Sequence, residues 1–312
     1  MKLIIQIPCL NEAATLPDTL AALPRVVPGF DCVEWLIVDD GSIDNTSVVA
    51  RAHGADHVVR LNRSQGLARA FMTGIHACLE READVVVNTD ADNQYNAADI
   101  PELVRPIIDG RAEIVVGARP IDAIQYFSPL KKLLQHLGSW VVQIVSRTKV
   151  PDATSGFRAI SRNAAQQLVL FNEYTHTLET IIHAGLNNIP IVSVPIRVNR
   201  DLRPSRLVKS MPSYVRLSIG TILRIFVIYR PMLFFGTIGS LLFGVGFVLG
   251  LRFVILFLAG RGTGHVQSLI LASVLLGIGF QTLLVAFVSD LLAANRKLLE
   301  EIRLATLRHS HG

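Results

Sequence analysis

Two long stretches without a charged residue constrain this chain more than any other feature. Met232–Leu251 begins just after Arg230-Pro231, and Val266–Ser289 stops at Asp290. A helix needs about 20 apolar residues to cross the hydrocarbon of a bilayer, and both runs reach that length. Core helices of soluble proteins are seldom apolar for so long. Two membrane helices are therefore expected, at about 232–258 and 266–290, joined by a short hairpin around Gly260–His265. Arg252 is placed to snorkel to the interface at the far end of the first run. Gly236, Ser240 and Gly244 recur every fourth residue, a spacing that reads as a helix-packing face and gives a homo-oligomer a route through the membrane helices.

Charge follows the same division. Residues 1–200 hold 18 Lys and Arg against 21 Asp and Glu, a net of −3, and residues 201–312 hold 12 against 4, a net of +8. Mean hydropathy is +0.42, high for a wholly soluble chain. A basic excess gathered beside apolar runs points to a lipid surface or a phosphate-bearing substrate, and away from nucleic acid. Arg216, Arg224 and Arg230 precede the first run, and Arg296, Lys297, Arg303 and Arg308 follow the second. Only Arg252 and Arg261 lie at the hairpin. The positive-inside rule then places residues 1–230 and the tail on the cytoplasmic side of a cell (inner) membrane, as a multi-pass protein. The opening run Leu3–Ile7 is too short for a signal peptide and ends at Pro8. Cys9, Cys32 and Cys78 have no metal-ligand spacing and read as small buried hydrophobes.

Before the apolar runs, short β-rich segments alternate with helical ones. Leu3–Ile7, Glu34–Val38, His57–Leu61, Asp84–Asn88 and Ile114–Gly117 read as strands, and Pro190–Val198 as a later one with period-two alternation. Ala13–Leu23, Thr46–Ala52, Gly66–Glu82 and Ile100–Asp109 read as helices. That alternation predicts an α/β fold with a largely parallel sheet. Pro129–Arg147 and Tyr214–Tyr229 are amphipathic with basic flanks. Each suits either a core-facing helix or one lying in the headgroup plane, and the second, so near a span, is read as interfacial.

The chemistry concentrates after the fourth strand. Asp90-Ala91-Asp92-Asn93-Gln94 follows Val85-Val86-Val87 directly. In open α/β sheets ligands sit beyond the carboxyl ends of strands. Two acids one residue apart there can hold a hard divalent cation, which takes oxygen ligands and shares its shell with phosphates. The same pattern also suits an acidic turn that caps a helix.

Several further segments stand at strand ends. Ile7-Pro8-Cys9-Leu10-Asn11-Glu12 ends the first, Val38-Asp39-Asp40-Gly41-Ser42 the second, and Asn62-Arg63-Ser64-Gln65-Gly66-Leu67-Ala68 follows the third. Val116-Gly117-Ala118-Arg119 follows the fifth, and Ser155-Gly156-Phe157-Arg158-Ala159 comes later. Together with Asp90–Tyr95 these resemble the family 2 glycosyltransferases of the GT-A fold, over about residues 1–210. More narrowly they resemble the dolichol-phosphate mannose synthase-like polyprenyl-phosphate glycosyltransferases, whose bacterial members end in two membrane helices. The resemblance implies a GT-A catalytic domain at 1–210, a juxtamembrane amphipathic helix at 211–230 and a membrane domain at 231–312.

It also implies roles. Pro8, Leu10 and Glu12 would line a nucleotide pocket with Asp40 and Ala91. Asp39 would accept hydrogen bonds from the base or ribose, although a plain turn and helix cap also explains Asp39–Ser42. Gly41 would permit the tight turn, and Asp90 would face the ribose or brace its loop. Asp92 and Gln94 would ligate Mg²⁺ or Mn²⁺. A polyprenyl phosphate acceptor arrives ionised, since a phosphomonoester's second pKa is about 6. It needs cations and not a base, and Arg119, Arg158, Arg200, Arg203, Arg206 and Lys209 are the candidates. Arg200–Arg206 aligns with the family's Arg-x-x-Gly-x-Ser-Lys. Arg200 and Ser205 match, while Arg203 replaces Gly and Arg206 replaces Lys. Glu179 lies where members often carry an acid facing the sugar, though a solvated helix face explains it nearly as well. His176 and His183 read as ordinary polar residues.

Other readings are open to a test. A processive polysaccharide synthase would need a Gln-x-x-Arg-Trp motif, which neither Trp35 nor Trp140 provides. Transfer to a lipid hydroxyl or a growing glycan would need a base, and Asp152 is the nearby candidate. A non-catalytic nucleotide-sugar sensor would bind without turnover. No Gly-x-Gly-x-x-Gly follows the first strand, which argues against a dinucleotide oxidoreductase.

Overall fold

The computed structural model describes residues 1–123, 129–168, 176–199, 211–260 and 266–310. The chain forms two compact units, Met1–Ser218 and Ile219–Gly312.

The first unit is built on a seven-stranded sheet of β1 (Lys2–Cys9), β2 (Cys32–Asp39), β3 (His57–Arg60), β4 (Val85–Asn88), β5 (Ile114–Ala118), β6 (Arg158–Ser161) and β7 (Ile191–Pro195). The spatial order is β3-β2-β1-β4-β6-β5-β7. All pairs are parallel except those of β6, which runs antiparallel to both β4 and β5. Helices α1 (Leu16–Ala22), α2 (Thr46–Ala52), α3 (Leu67–Glu80), α4 (Ile100–Ile108), α5 (Pro129–Ser146), α6 (Arg162–Gln167) and α7 (His176–Leu186) cover it.

Alternation along β1 sets the layers. Leu3, Ile5, Ile7 and Cys9 point into one core with Leu16, Leu20, Leu103 and Val104. Ile4 points into the other with Phe71, Ile75 and Ile160. Both faces of β1 are covered, so its sequence is a nearly unbroken apolar run. Each fully buried Ile or Leu contributes about 1.5–3 kcal/mol. Gln6 shares the Ile4 face and begins a buried amide chain. Its Nε2 donates to Asn88 Oδ1 at 3.0 Å, and Asn88 Nδ2 donates to the Gly156 carbonyl at 2.8 Å. This chain ties β1 and β4 to the segment before β6, near the carboxyl ends where the site lies.

The structure moves several expected boundaries. Strand Pro190–Val198 is regular only over Ile191–Pro195, and beyond it Val198 makes a single bridge to Tyr95. β6 has no period-two signal, because its four residues are buried on both faces and begin with an arginine. Ser161 Oγ accepts from Ala164 N at 3.1 Å, ending that strand and capping α6. Cys9 and Cys78 are buried as expected, but Cys32 is exposed at the start of β2, where the strand leaves the core.

Helix α8 (Met211–Tyr229) carries the division between the two units. In the second unit α9 (Pro231–Leu258) and the long α10 (Val266–Ser310) pack on each other. Pro231–Leu258 and Val266–Asn295 are long and apolar enough to cross a membrane, and most of their surface is exposed. Their close approach runs through Gly239, Gly246 and Gly279. A Cβ on Gly279 would lie 2.5 Å from Phe243 N, and one on Gly246 would lie 2.9 Å from Leu276 N. The expected Gly236–Gly244 row is not this face, for neither glycine meets anything within 4 Å.

Candidate active site

The site is assembled from turns at the carboxyl ends of β1, β2, β4 and β5. The first two turns are laced together. Asn11 N donates to Ser42 Oγ at 2.9 Å, Ile43 N to Asn11 Oδ1 at 2.9 Å, and Glu12 N to Thr46 Oγ1 at 2.9 Å. Pro8 is buried in β1 opposite Val38, Glu12 is buried and accepts from the Thr15 hydroxyl at 2.7 Å, and Leu10 is exposed at the rim.

Asp39 and Asp40 are committed to the protein itself. Asp39 Oδ1 accepts from Ser42 N at 2.8 Å, and its Oδ2 accepts from the Ser47 hydroxyl. Asp40 accepts from Gln65 N at 2.8 Å, Gly66 N at 2.9 Å and the Ser64 hydroxyl at 2.8 Å, which pins the loop entering α3. Both carboxylates are buried. What Asp39 offers a ligand is its remaining lone pairs. Gly41 has φ +74°, and a Cβ there would stand 2.6 Å from the Arg63 carbonyl carbon, so glycine is required.

The loop after β4 is held differently. Asp92 Oδ1 accepts from Gln94 N at 3.2 Å. Thr19 Oγ1 donates to the Ala91 carbonyl at 2.8 Å. Asn199 takes three successive carbonyls. Its Nδ2 donates to Asn93 O at 2.9 Å and Tyr95 O at 3.3 Å, and its backbone N donates to Gln94 O at 2.9 Å. Asn93 sits at φ 54° to make this loop. Asp90 is held by the Tyr95 hydroxyl, which in turn accepts from Gly156 N at 2.8 Å. A Cβ at Gly156 would lie 3.0 Å from Asp90 Oδ1. Burial, then the neighbouring Asp92 charge, push the Asp90 pKa up to about 7, against the pull of Arg119 and Arg158.

The basic part of the site is also internally engaged. Arg119 Nε donates to Asp152 Oδ2 at 2.7 Å, its Nη2 to Asp152 Oδ1 at 3.0 Å and to Thr154 Oγ1 at 2.8 Å. The Thr154 hydroxyl lies 2.6 Å from Gln135 Oε1 on α5. Burial opposes ionisation at Asp152, yet Arg119 and Thr154 hold its pKa below the ordinary carboxylate range. Burial likewise opposes the Arg119 charge, and Tyr95 and Asp152 more than reverse it. Arg158 is fully buried. Its Nε donates to Ser155 O at 2.9 Å, its Nη2 to Ala153 O at 3.0 Å, and Nη1 has no partner. Burial lowers its pKa to about 10. It braces the 153–155 loop from below. His176 stacks on Phe71 at 4.4 Å, and burial, then Arg158, lower its pKa to about 3, so it is neutral.

The structure thus gathers Asp90, Ala91, Asp92, Gln94, Arg119 and Arg158 around one loop cluster, with the Asp39–Gly41 turn beside β1. Arg200, Arg203, Ser205, Arg206 and Lys209 lie outside the described residues. Glu179 is buried on α7 and is not on a solvated helix face. Asn199, Thr19 and Thr154 carry no local motif, and only their place beside the loops reveals them. Among the described residues no three His, Cys, Asp or Glu side chains gather as a ligand set. The donor set suits a cation that takes few protein ligands. Asp92 and Gln94 supply hard oxygen donors, and the Asp92 charge that raises Asp90 is one a divalent ion would relieve.

The comparisons with known proteins agree with this architecture. The profile of glycosyl transferase family 2 matches residues 4–169, and the chain belongs to that family. It is a glycosyltransferase. Undecaprenyl-phosphate mannosyltransferase of Micrococcus luteus is 29% identical over 218 residues, covering 66% of this chain and 88% of that one. UDP-N-acetylglucosamine–dolichyl-phosphate N-acetylglucosaminyltransferase of Methanococcus voltae is 30% identical over 212 residues, 61% of this chain and 83% of that one. Among solved structures, glucosyl-3-phosphoglycerate synthase of Mycobacterium tuberculosis, in complex with Mn²⁺, UDP and glucosyl-3-phosphoglycerate, superposes with a TM-score of 0.52 at 24% identity. It covers 71% of this chain and 79% of that one, and shows the shared GT-A fold.

Proposed function

We propose that the chain transfers one sugar from a UDP- or GDP-sugar to a polyprenyl phosphate at the cytoplasmic face of the membrane, with inversion at the anomeric carbon. The acceptor phosphate oxygen forms a bond to that carbon as the bond to the nucleoside diphosphate breaks, and the diphosphate leaves with the electron pair. Mg²⁺ or Mn²⁺, held by Asp92 and Gln94, would neutralise charge on the diphosphate. The chain's own residues do the positioning. The Asp39–Gly41 turn and Pro8–Glu12 frame the nucleotide, Asn199 and Thr19 hold the loop of Asp92, and Arg119 offers fixed positive charge beside it.

One observation carries the choice of acceptor. The candidate base, Asp152, is buried, gripped through both oxygens by Arg119 and held below the ordinary carboxylate range. It is poorly suited to take a proton from a hydroxyl. An acceptor that arrives as a dianion needs no such base. Two long apolar helices in the chain and two relatives named for polyprenyl-phosphate acceptors favour the same reading.

The test is nucleoside diphosphate release by detergent-purified protein given Mn²⁺ and a panel of UDP- and GDP-sugars, with and without polyprenyl phosphate. Release that requires the lipid, with a sugar-labelled lipid product, is expected. Release that ignores the lipid would contradict the acceptor assignment, and binding without release would favour a sensor.

A further inference from the structure

Tyr95 closes the loop that carries Asp90, Asp92 and Gln94, and its hydroxyl sits between a donor and an acceptor. Gly156 N donates to the phenol oxygen at 2.8 Å, so the phenol's own hydrogen is left for the Asp90 carboxylate, which accepts it. The parts of this tether are fixed. The Gly156 carbonyl accepts from Asn88 Nδ2 at 2.8 Å, and Asn88 Oδ1 accepts from Gln6 Nε2 at 3.0 Å, so the Gly156 peptide is pinned at both ends. The Tyr95 ring is buried and stacks on Phe157, with centroids 5.2 Å apart and planes within 9°. Its carbonyl accepts from Asn199 Nδ2 at 3.3 Å, and its backbone bridges to Val198. Behind Asp90, a Cβ on Gly156 would stand 3.0 Å from one carboxylate oxygen and 3.2 Å from the other. Asp90 is therefore fastened back against the segment that leads into β6.

We infer that Tyr95 is a positioning residue that holds Asp90 out of the cation's coordination shell, so that tight cation binding requires the donor's diphosphate. This rests on the cation site proposed above at Asp92 and Gln94. Two carboxylates one residue apart would both ligate a hard divalent cation if both could turn to it, since such ions take oxygen donors and bind more tightly as carboxylate charge is added. With Asp90 tied back, the protein offers one carboxylate and one neutral amide oxygen, a single negative charge against two positive ones. The rest of the neutralising charge comes from the diphosphate. Coupling of this kind is reciprocal: the factor by which the diphosphate strengthens cation binding is the factor by which the cation strengthens diphosphate binding. The tether thus keeps the site ready for a cation that arrives and leaves with its nucleotide. A Tyr95 that served packing alone would have the opposite signature, because loss of its buried hydroxyl would loosen the loop and weaken cation binding.

Tyr95→Phe removes the hydroxyl and keeps the stacked ring. The experiment follows Mn²⁺ binding to the detergent-purified full chain by electron paramagnetic resonance, with and without UDP or GDP. Wild type is expected to bind Mn²⁺ weakly alone and far more tightly with the nucleotide. Tyr95→Phe is expected to bind Mn²⁺ alone roughly tenfold more tightly than wild type, with the nucleotide's enhancement reduced by a similar factor. The double variant Tyr95→Phe/Asp90→Asn is expected to lose that gain, because an amide brings no second charge. Gly156→Ala reaches the same displacement without touching Tyr95, since its Cβ presses on both Asp90 oxygens, and it is expected to raise Mn²⁺ affinity in the same direction by a smaller factor. Unchanged or weaker Mn²⁺ binding by both Tyr95→Phe and Gly156→Ala without nucleotide, beside a wild type that binds Mn²⁺ with it, would overturn the tether and leave the cation site standing. A wild type that binds no Mn²⁺ even with nucleotide would overturn both.

Discussion

Two acidic pairs stand at the ends of parallel strands, and in sequence they look alike. Asp39-Asp40 follows β2 and Asp90-Ala91-Asp92 follows β4. In the folded chain they are opposites. The oxygens of Asp39 and Asp40 accept from Ser42, Ser47, Ser64, Gln65 and Gly66, so that pair is a clasp joining two turns and the start of α3, with only spare lone pairs of Asp39 left for a ligand. The Asp90–Asp92 loop is held by its carbonyls, through Thr19 and Asn199, and there burial, then the Asp92 charge, push the Asp90 pKa to about 7. An acidic pair filled by the protein's own donors is structure. We propose that a pair whose backbone is fixed from outside while its charges repel holds a cation.

The largest test of that contrast is Asp92→Asn. It should lower turnover by about a thousandfold or more while leaving the melting temperature near wild type. A fully active variant would refute the metal assignment. Asp40→Ala should do the reverse. It strands two backbone donors and should cost about 3 kcal/mol in denaturant unfolding of the first unit. Unchanged stability would break the clasp reading. Asp152→Asn should raise KM for the lipid acceptor roughly 10–100-fold with little change in nucleotide binding, since it loosens Arg119 and not the donor pocket. Equal loss of both would move Arg119 to the donor side. Asn199→Ala should weaken Mn²⁺ binding about tenfold by freeing the Asn93 and Tyr95 carbonyls, and titration calorimetry would read it. A further effect is on pH. His176 sits near pKa 3 in the folded chain against 6.5 for an ordinary histidine. Stability is therefore full above about 6.5 and falls by about 1.4 kcal/mol per pH unit below it. His176→Leu should flatten that slope in urea unfolding at pH 5 and pH 7, and an unchanged slope would assign it elsewhere.

The fold was legible where the sequence obeys one period. β1 to β5 and the helices between them follow from apolar runs and turns, and the two long apolar helices from length alone. β6 was hidden because four residues buried on both faces have no alternation, and an arginine within a buried strand argues against a core. The site was legible as a set of strand ends, since Asp90, Asp92, Asp39 and Arg119 stand where open α/β sheets place ligands. Their division of labour was not. Nothing local in Asp39-Asp40-Gly41 announces that Ser64–Gly66 will fill those oxygens, because the partners are some 25 residues away in sequence. Arg158 read as a free cation for phosphate, and the fold closes over it. Asn199, immediately before a conspicuous basic run, shows its use only through contacts about a hundred residues distant.

The most direct measurement is Mn²⁺ binding followed by electron paramagnetic resonance, with UDP or GDP present, on wild type, Asp92→Asn and Ser64→Ala. The account predicts one bound Mn²⁺ per chain in wild type and in Ser64→Ala, which touches only the clasp, and none in Asp92→Asn. Undiminished Mn²⁺ binding by Asp92→Asn would contradict it.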